Sequence, residues 1–126
     1  MIMPYLTVAP SATSGRGVFT TKNIPANTVI EISPVVVLSA KHRKLIEATL
    51  LGNYIFEWGE TRRQAALALG YISLYNHDYA SNCEYEMDFD HNIMTIKTVK
   101  PVKKGGELSI NYNATHDDKT LVWFHQ

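Results

Sequence analysis

The chain has 126 residues, 45% of them apolar and with no long polar tract, which suffices for one packed core but not for two full domains, so a single domain over 1–126 is expected. Twelve Lys and Arg balance twelve Asp and Glu, which excludes the global basic field that holds a nucleic-acid backbone. A single cysteine, Cys83, excludes an intrachain disulfide and a cysteine-rich zinc site, and neither a signal-like start nor a bilayer-length apolar run is present; a soluble, intracellular protein without nucleic-acid or membrane partners is the expectation.

Short β-like runs fill the first third: Tyr5 to Val8, Gly17 to Thr20, Val29 to Ile32 and Val35 to Leu38, with a turn at Pro25-Ala26-Asn27. Ser39 is placed to cap a helix from about Ala40 to Leu51, with Leu45, Ile46, Thr49 and Leu50 on one face and Gly52 at its exit. After a polar loop over Gly59 to Arg63, the Ala/Leu-rich stretch Gln64 to Leu69 predicts a second short helix, leading through Gly70 into the aromatic segment Tyr71 to Tyr75. Cys83 to Phe89 alternates strictly, with Cys83, Tyr85, Met87 and Phe89 on one side and Glu84, Glu86 and Asp88 on the other, the signature of a half-buried strand. Asp90-His91-Asn92 supplies a turn and Ile93 to Val99 the returning strand of a hairpin. Glu107 to Tyr112 reads as a final strand ending in a tyrosine. Many short strands, one or two small helices and no βαβ alternation give a mainly β fold and argue against a doubly wound nucleotide-binding sheet.

Three short motifs stand out, each with a plain alternative. Gly15-Arg16-Gly17 suits a turn between strands, and it is neither a P-loop nor a Rossmann element, because the β-formers Val18-Phe19-Thr20 follow it and no helix N-terminus is available for phosphate. Asn76-His77-Asp78 is either a hydrogen-bonded turn or a ligand grip. His116, Asp117, Asp118 and His125 lack a spacing that preorganises a metal site, so no metal is expected.

In chain order, Gly15-Arg16-Gly17-Val18-Phe19, then Gly70 to Asn76-His77, then Ile96 to Pro101, then Gly106-Glu107-Leu108 through Tyr112 resemble the SET-domain protein-lysine methyltransferases over nearly the whole chain. The likeness is to small viral and bacterial members without cysteine-rich flanks. It implies a β-clip-like fold of several small sheets in which the segment through Asn76-His77 threads as a pseudoknot. It also implies S-adenosylmethionine as methyl donor, with Gly15, Arg16, Gly17, Asn76, His77 and Tyr112 at the cofactor. Tyr112 is then catalytic with Tyr54, and Tyr54, Tyr75, Trp123 and Phe124 form the lysine pocket. Tyr54 as a buried sheet tyrosine, and Trp123-Phe124 as tail packing, remain the plain alternatives. Glu107 orders the last strand. Departures from the family pattern are Ser73 where arginine is usual, Asp78 for serine, Ser81 where proline often precedes Asn82, and Ala114 and His116 after Tyr112.

The acidic row Glu84, Glu86, Asp88 and Asp90 offers a seat for a basic, histone-like peptide added to a sheet edge, or is simply a solvated hairpin face paired with the basic stretch Lys97 to Lys104. The small size suggests a homodimer. The cytoplasm of a prokaryote, or a host nucleus for a viral protein, is the expected location. The competing function is a non-catalytic SET-like β-clip module that binds a peptide or small molecule; Tyr112 together with Asn76-His77 argues for the enzyme.

Overall fold

The computed structural model describes residues 1–12 and 15–112. Its strands are β1 (Leu6–Pro10), β2 (Arg16–Thr20), β3 (Val29–Leu38), β4 (Ile55–Trp58), β5 (Gln64–Ala68), β6 (Asn76–His77), β7 (Cys83–Asp88), β8 (Ile93–Thr98) and β9 (Glu107–Ile110), with one α-helix, α1 (Ala40–Glu47), and two 3₁₀ turns, Leu50–Asn53 and Ile72–Leu74. The strands hydrogen-bond in the order β1-β2-β9-β7-β8-β3-β5-β4, with β6 alongside β9. The mainly β fold expected from the strand pattern is what forms.

Three antiparallel hairpins, β1/β2, β4/β5 and β7/β8, supply most of the local pairing. The β7/β8 turn carries Asn92 at φ 54°, a left-handed backbone that asparagine tolerates. Strand β3 joins two of these hairpins because it changes partner midway: Val29 to Pro34 pairs with β8, and Val35 to Leu38 with β5. The switch falls at Pro34, which has no N–H to give to a ladder. Strand β9 closes the other side, antiparallel to β2 at Val18↔Leu108 and parallel to β6 at Asn76↔Ser109 and His77↔Ile110. A two-residue strand is thereby enough to hold Asn76 and His77 against the last strand.

Val18, Ile30, Ile72, Tyr75, Cys83, Met94, Ile96, Leu108 and Ile110 are fully buried and form the centre of the core. The alternation in β7 is realised: Cys83 and Tyr85 are buried and Met87 half-buried, while Glu86 and Asp88 face solvent. Phe89 lies just beyond the strand, exposed but edge-on to Trp58 at 5.0 Å.

Two helical expectations are corrected. Gln64–Ala68 is strand β5, not a helix, because β3 and β4 pair with it on both sides and bury Ala65 and Ala66 completely. Tertiary pairing overrides a propensity of a few tenths of a kcal/mol per residue, roughly, and the run is too short to nucleate a helix. Helix α1 begins as expected, with Ser39 Oγ accepting from His42 N–H at 3.2 Å, but it ends at Glu47 rather than Leu51 and buries no residue. Leu45 and Leu50 are exposed, and Ile46 is half-buried. Arg43 does the anchoring, donating to the carbonyls of Arg62 and Gln64 at 2.7 and 3.3 Å and facing the carboxylates of Glu47 and Glu57.

Candidate active site

The sequence motifs that lie far apart in the chain converge around β6. Asn76 Nδ2 donates to the Arg16 carbonyl at 3.1 Å and to Glu107 Oε2 at 2.7 Å. The other carboxylate oxygen, Glu107 Oε1, accepts from Ser11 Oγ at 2.8 Å. Glu107 thus ties together three segments: the start of the glycine loop, the Asn76-His77 strand and the last strand. Gly17 sits directly against this knot, where a Cβ would run into the Glu107 carboxylate and come to 2.9 Å from Asn76 Nδ2. Gly15, at φ +48°, takes a turn that glycine adopts without strain. Asn82 secures the far side of β9, donating to the Glu107 carbonyl and accepting from Ser109 N–H, each at 2.9 Å.

His77 Nδ1 accepts from the backbone N–H of Tyr112 at 3.0 Å. The imidazole is flanked by Tyr79, edge-on at 4.3 Å, and by the Tyr112 ring at 5.2 Å. Because β6 and β9 run parallel, the residues following Ile110 are brought back over His77, which is how Tyr112 reaches this place.

The Tyr112 hydroxyl donates to the Tyr75 carbonyl at 2.6 Å. Its ring meets Phe56 edge-on at 5.7 Å, Phe56 meets Tyr85 at 5.5 Å, and Tyr85 Oη returns a hydrogen bond to the Tyr112 carbonyl at 2.9 Å. Burial holds the Tyr112 phenol well above the ordinary tyrosine range, and the neighbouring phenols of Tyr85 and Tyr54 push in the same direction. Tyr112 therefore carries its proton throughout the physiological range.

Of the residues singled out from the sequence, the structure hydrogen-bonds Asn76 to Arg16 with Gly17 packed against them, and His77 to Tyr112, the two sets being adjoined through the consecutive residues of β6. Tyr54 is half-buried at the end of the 3₁₀ turn Leu50–Asn53. Tyr75 is placed differently from the expectation that its ring lines a substrate pocket: the ring is fully buried and its hydroxyl donates to Glu31 Oε1 at 3.2 Å. Only its carbonyl meets Tyr112. Trp123 and Phe124, like His116, Asp117, Asp118 and His125, from which no metal site was expected, lie outside the described residues. Among the described residues no group of three or more His, Cys, Asp or Glu is arranged to hold a metal.

Sequence reading passed over Phe56, Tyr85 and Ser11 as members of this cluster. Tyr85 was detectable in principle, since the alternation of β7 put it on the buried face beside Cys83. At Ser73, one of the departures noted in the sequence, the hydroxyl donates to the carbonyl of Tyr54 at 2.8 Å and lies 3.2 Å from that of Ala68. Serine there ties the segment before β6 to the Tyr54 backbone.

The acidic row is partly paired by register. Glu84 stands opposite Lys97 across the hairpin, and Asp88 Oδ2 meets His91 Nδ1 at 2.8 Å. The His91 hydrogen bond, with its backbone N–H, lowers the Asp88 pKa below the usual carboxylate value. Glu86 and Asp90 face solvent.

The SET domain family model matches residues 15–113. A histone-lysine N-methyltransferase of Schizosaccharomyces pombe, specific for H3 lysine 37, is 36% identical over 113 residues, spanning 89% of this chain and 76% of that protein. The crystal structure of a Plasmodium falciparum protein assigned to the histone methyltransferases superposes with a TM-score of 0.65 at 26% identity, covering 90% of this chain and 97% of that one. With the β6/β9 cluster assembled from the same motifs that matched by sequence, the chain belongs to the SET-domain family of protein-lysine methyltransferases.

Proposed function

We propose that this chain methylates a lysine ε-amine on a basic, histone-like protein tail, with S-adenosylmethionine as donor, Asn76 and His77 as its main grip and Tyr112 as the catalytic tyrosine. The observation that carries the reading is the Tyr112 hydroxyl, fixed on the Tyr75 carbonyl at 2.6 Å, on a ring that packs against those of His77 and Phe56.

The donor set fits the proposed cofactor. Asn76 and His77 are hydrogen-bonding groups without phosphate selectivity, Gly15 and Arg16 are exposed beside them, and among the described residues no helix N-terminus lies at this place to select for phosphate. Carbonyls and phenol oxygens suit a cationic sulfonium. When bound, S-adenosylmethionine supplies an electrophilic methyl group. The protein's own work is alignment. Holding an amine in line with its target is worth up to about 7–11 kcal/mol when geometry is fully fixed.

Tyr112 keeps its proton and spends it on the Tyr75 carbonyl. Its oxygen therefore acts as an acceptor towards a third group, suited to orienting a substrate amine and to weak C–H···O contact with an activated methyl. It is not a general base. A lysine amine is neutral in only about one molecule in a few thousand at pH 7. The buried rings of Phe56 and Tyr85 beside Tyr112 make an apolar surrounding that disfavours the charged ammonium, which lowers the cost of losing that proton to water before transfer.

The fission-yeast relative acts on H3 lysine 37 by its name, and the solvent-facing Glu86 and Asp90 offer a complementary field for a similarly basic tail. A homodimer remains part of this reading, to be checked by sedimentation. Calorimetric titration with S-adenosylmethionine tests the assignment. Micromolar binding that is lost in Asn76→Ala and kept in Tyr112→Phe is expected; absence of binding by the wild type would refute it.

A further inference from the structure

Glu31 belongs to none of the motifs named above, yet it is fully buried near the start of β3. Its Oε2 accepts from Ser33 Oγ at 2.7 Å and from the backbone N–H of Tyr71 at 2.8 Å, and its Oε1 accepts from Tyr75 Oη at 3.2 Å. The two tyrosines are the two ends of one turn. Between them runs the 3₁₀ turn Ile72–Leu74, closed by Leu74 N–H on the Tyr71 carbonyl at 2.8 Å and Tyr75 N–H on the Ile72 carbonyl at 3.3 Å. Gly70, at φ +65°, lets the chain press against the carboxylate, since a Cβ there would collide with Glu31 and Ser33.

Burying a carboxylate is costly, and an apolar side chain of the same volume packs at less expense. What the carboxylate adds is two fixed points, one at each end of the turn. The turn ends on Tyr75, whose carbonyl receives the Tyr112 hydroxyl at 2.6 Å. A bond this short and directional responds to shifts of a few tenths of an ångström, by the usual distance limits for O–H···O contacts.

We infer that Glu31 is a positioning residue for the Tyr112 hydroxyl: by gripping the 71–75 turn at both ends, it sets the place of the carbonyl on which that hydroxyl rests. The inference depends on the catalytic reading of Tyr112. Glu31 touches neither substrate nor cofactor and acts through Tyr75.

Glu31→Gln and Tyr75→Phe test it in the full chain. Glutamine keeps an acceptor for Tyr71 and Ser33 but faces Tyr75 with an N–H₂ group. Phenylalanine keeps the ring and removes only the hydroxyl, so it remains informative if Glu31→Gln does not fold. Two readouts are needed. In ligand-free protein labelled with [13Cζ]-tyrosine, the Tyr112 resonance is expected to move in both variants while those of Tyr5 and Tyr79 stay put. In methyl transfer to recombinant histone H3, kcat is expected to fall about tenfold with KM within about twofold, the pattern of a misplaced reacting group. In a Tyr112→Phe background, Tyr75→Phe should cause no further loss.

An unmoved Tyr112 resonance, or a Tyr75→Phe loss that multiplies undiminished on Tyr112→Phe, would overturn the inference and leave Glu31 a packing residue. If Tyr112→Phe were impaired while Tyr75→Phe ran at the wild-type rate, the inference alone would fall. Full activity of Tyr112→Phe would remove the catalytic reading and the inference together.

Discussion

Gly17→Ala tests the cofactor side of the site through the Glu107 knot. Gly17 is buried in β2 with an ordinary strand backbone, so alanine brings no backbone strain. Its methyl group would occupy the place of the Glu107 carboxylate and crowd Asn76 Nδ2. Glu107 is a long side chain and can swing away, but only by giving up its bonds to Asn76 at 2.7 Å and Ser11 at 2.8 Å. A hydrogen bond to a charged group is worth about 1.5–3 kcal/mol net, and partial exposure favours the low end. Loss of one to two such bonds at the low end gives about 1.5–3 kcal/mol, or roughly a 10- to 100-fold weaker Kd. Calorimetric titration with S-adenosylmethionine reads the effect, and urea unfolding shows whether the fold itself is damaged. Ser11→Ala removes one bond without crowding and should weaken binding less. Gly17→Ala binding the donor within twofold of wild type would refute the claim that Glu107 orients Asn76 for the cofactor.

Ile72→Ala hollows the core beneath the turn that carries the site, where the side chain is fully buried, and should cost about 2–5 kcal/mol in urea unfolding. Burial pushes the Cys83 thiol up to about 12 and raises the phenols of Tyr75 and Tyr112. All three folded-state values lie above the unfolded ones, so the stability these groups contribute is fully present below about pH 9 and is lost as pH climbs past the unfolded values. Urea midpoints should be level from pH 7 to about 8.5 and fall above 9, and native Cys83 should resist thiol reagents at pH 8. Glu86→Lys with Asp90→Lys should raise KM for a basic peptide several-fold at low ionic strength, an effect about ten Å in range that vanishes near 0.5 M salt. An unchanged KM at low salt would mean the acidic row is only a solvated face.

The β7/β8 hairpin was legible because it rests on local signals: period-two alternation in Cys83 to Asp88 and turn residues at Asp90 to Asn92. Strand β5 was not, because five residues rich in alanine carry no period, and only β3 and β4 on either side decide their conformation. Helix α1 misled in another way, since its leucines suggested a packed face and its actual tether is the long Arg43 side chain reaching the carbonyls of Arg62 and Gln64 at the entry to β5. The site was largely legible as motifs. Its partnerships were not, for Glu107 with Ser11 spans 96 positions and Tyr112 with Tyr75 spans 37, and such pairs follow from the seating of β9 between β2 and β6. Glu31 looked like one more polar residue in a strand, and only the arrival of the 71–75 turn makes it a hub.

The most direct measurement is methyl transfer from radiolabelled S-adenosylmethionine to histone H3 by the wild-type chain and by Tyr112→Phe, with the modified residue located by mass spectrometry. The expected result is label on a lysine of H3 with the wild type, and a small residual rate, lower by roughly a hundredfold, with Tyr112→Phe despite normal donor binding. Wild-type protein that binds the donor and labels no core histone, or a Tyr112→Phe variant that labels H3 at the wild-type rate, would contradict the account.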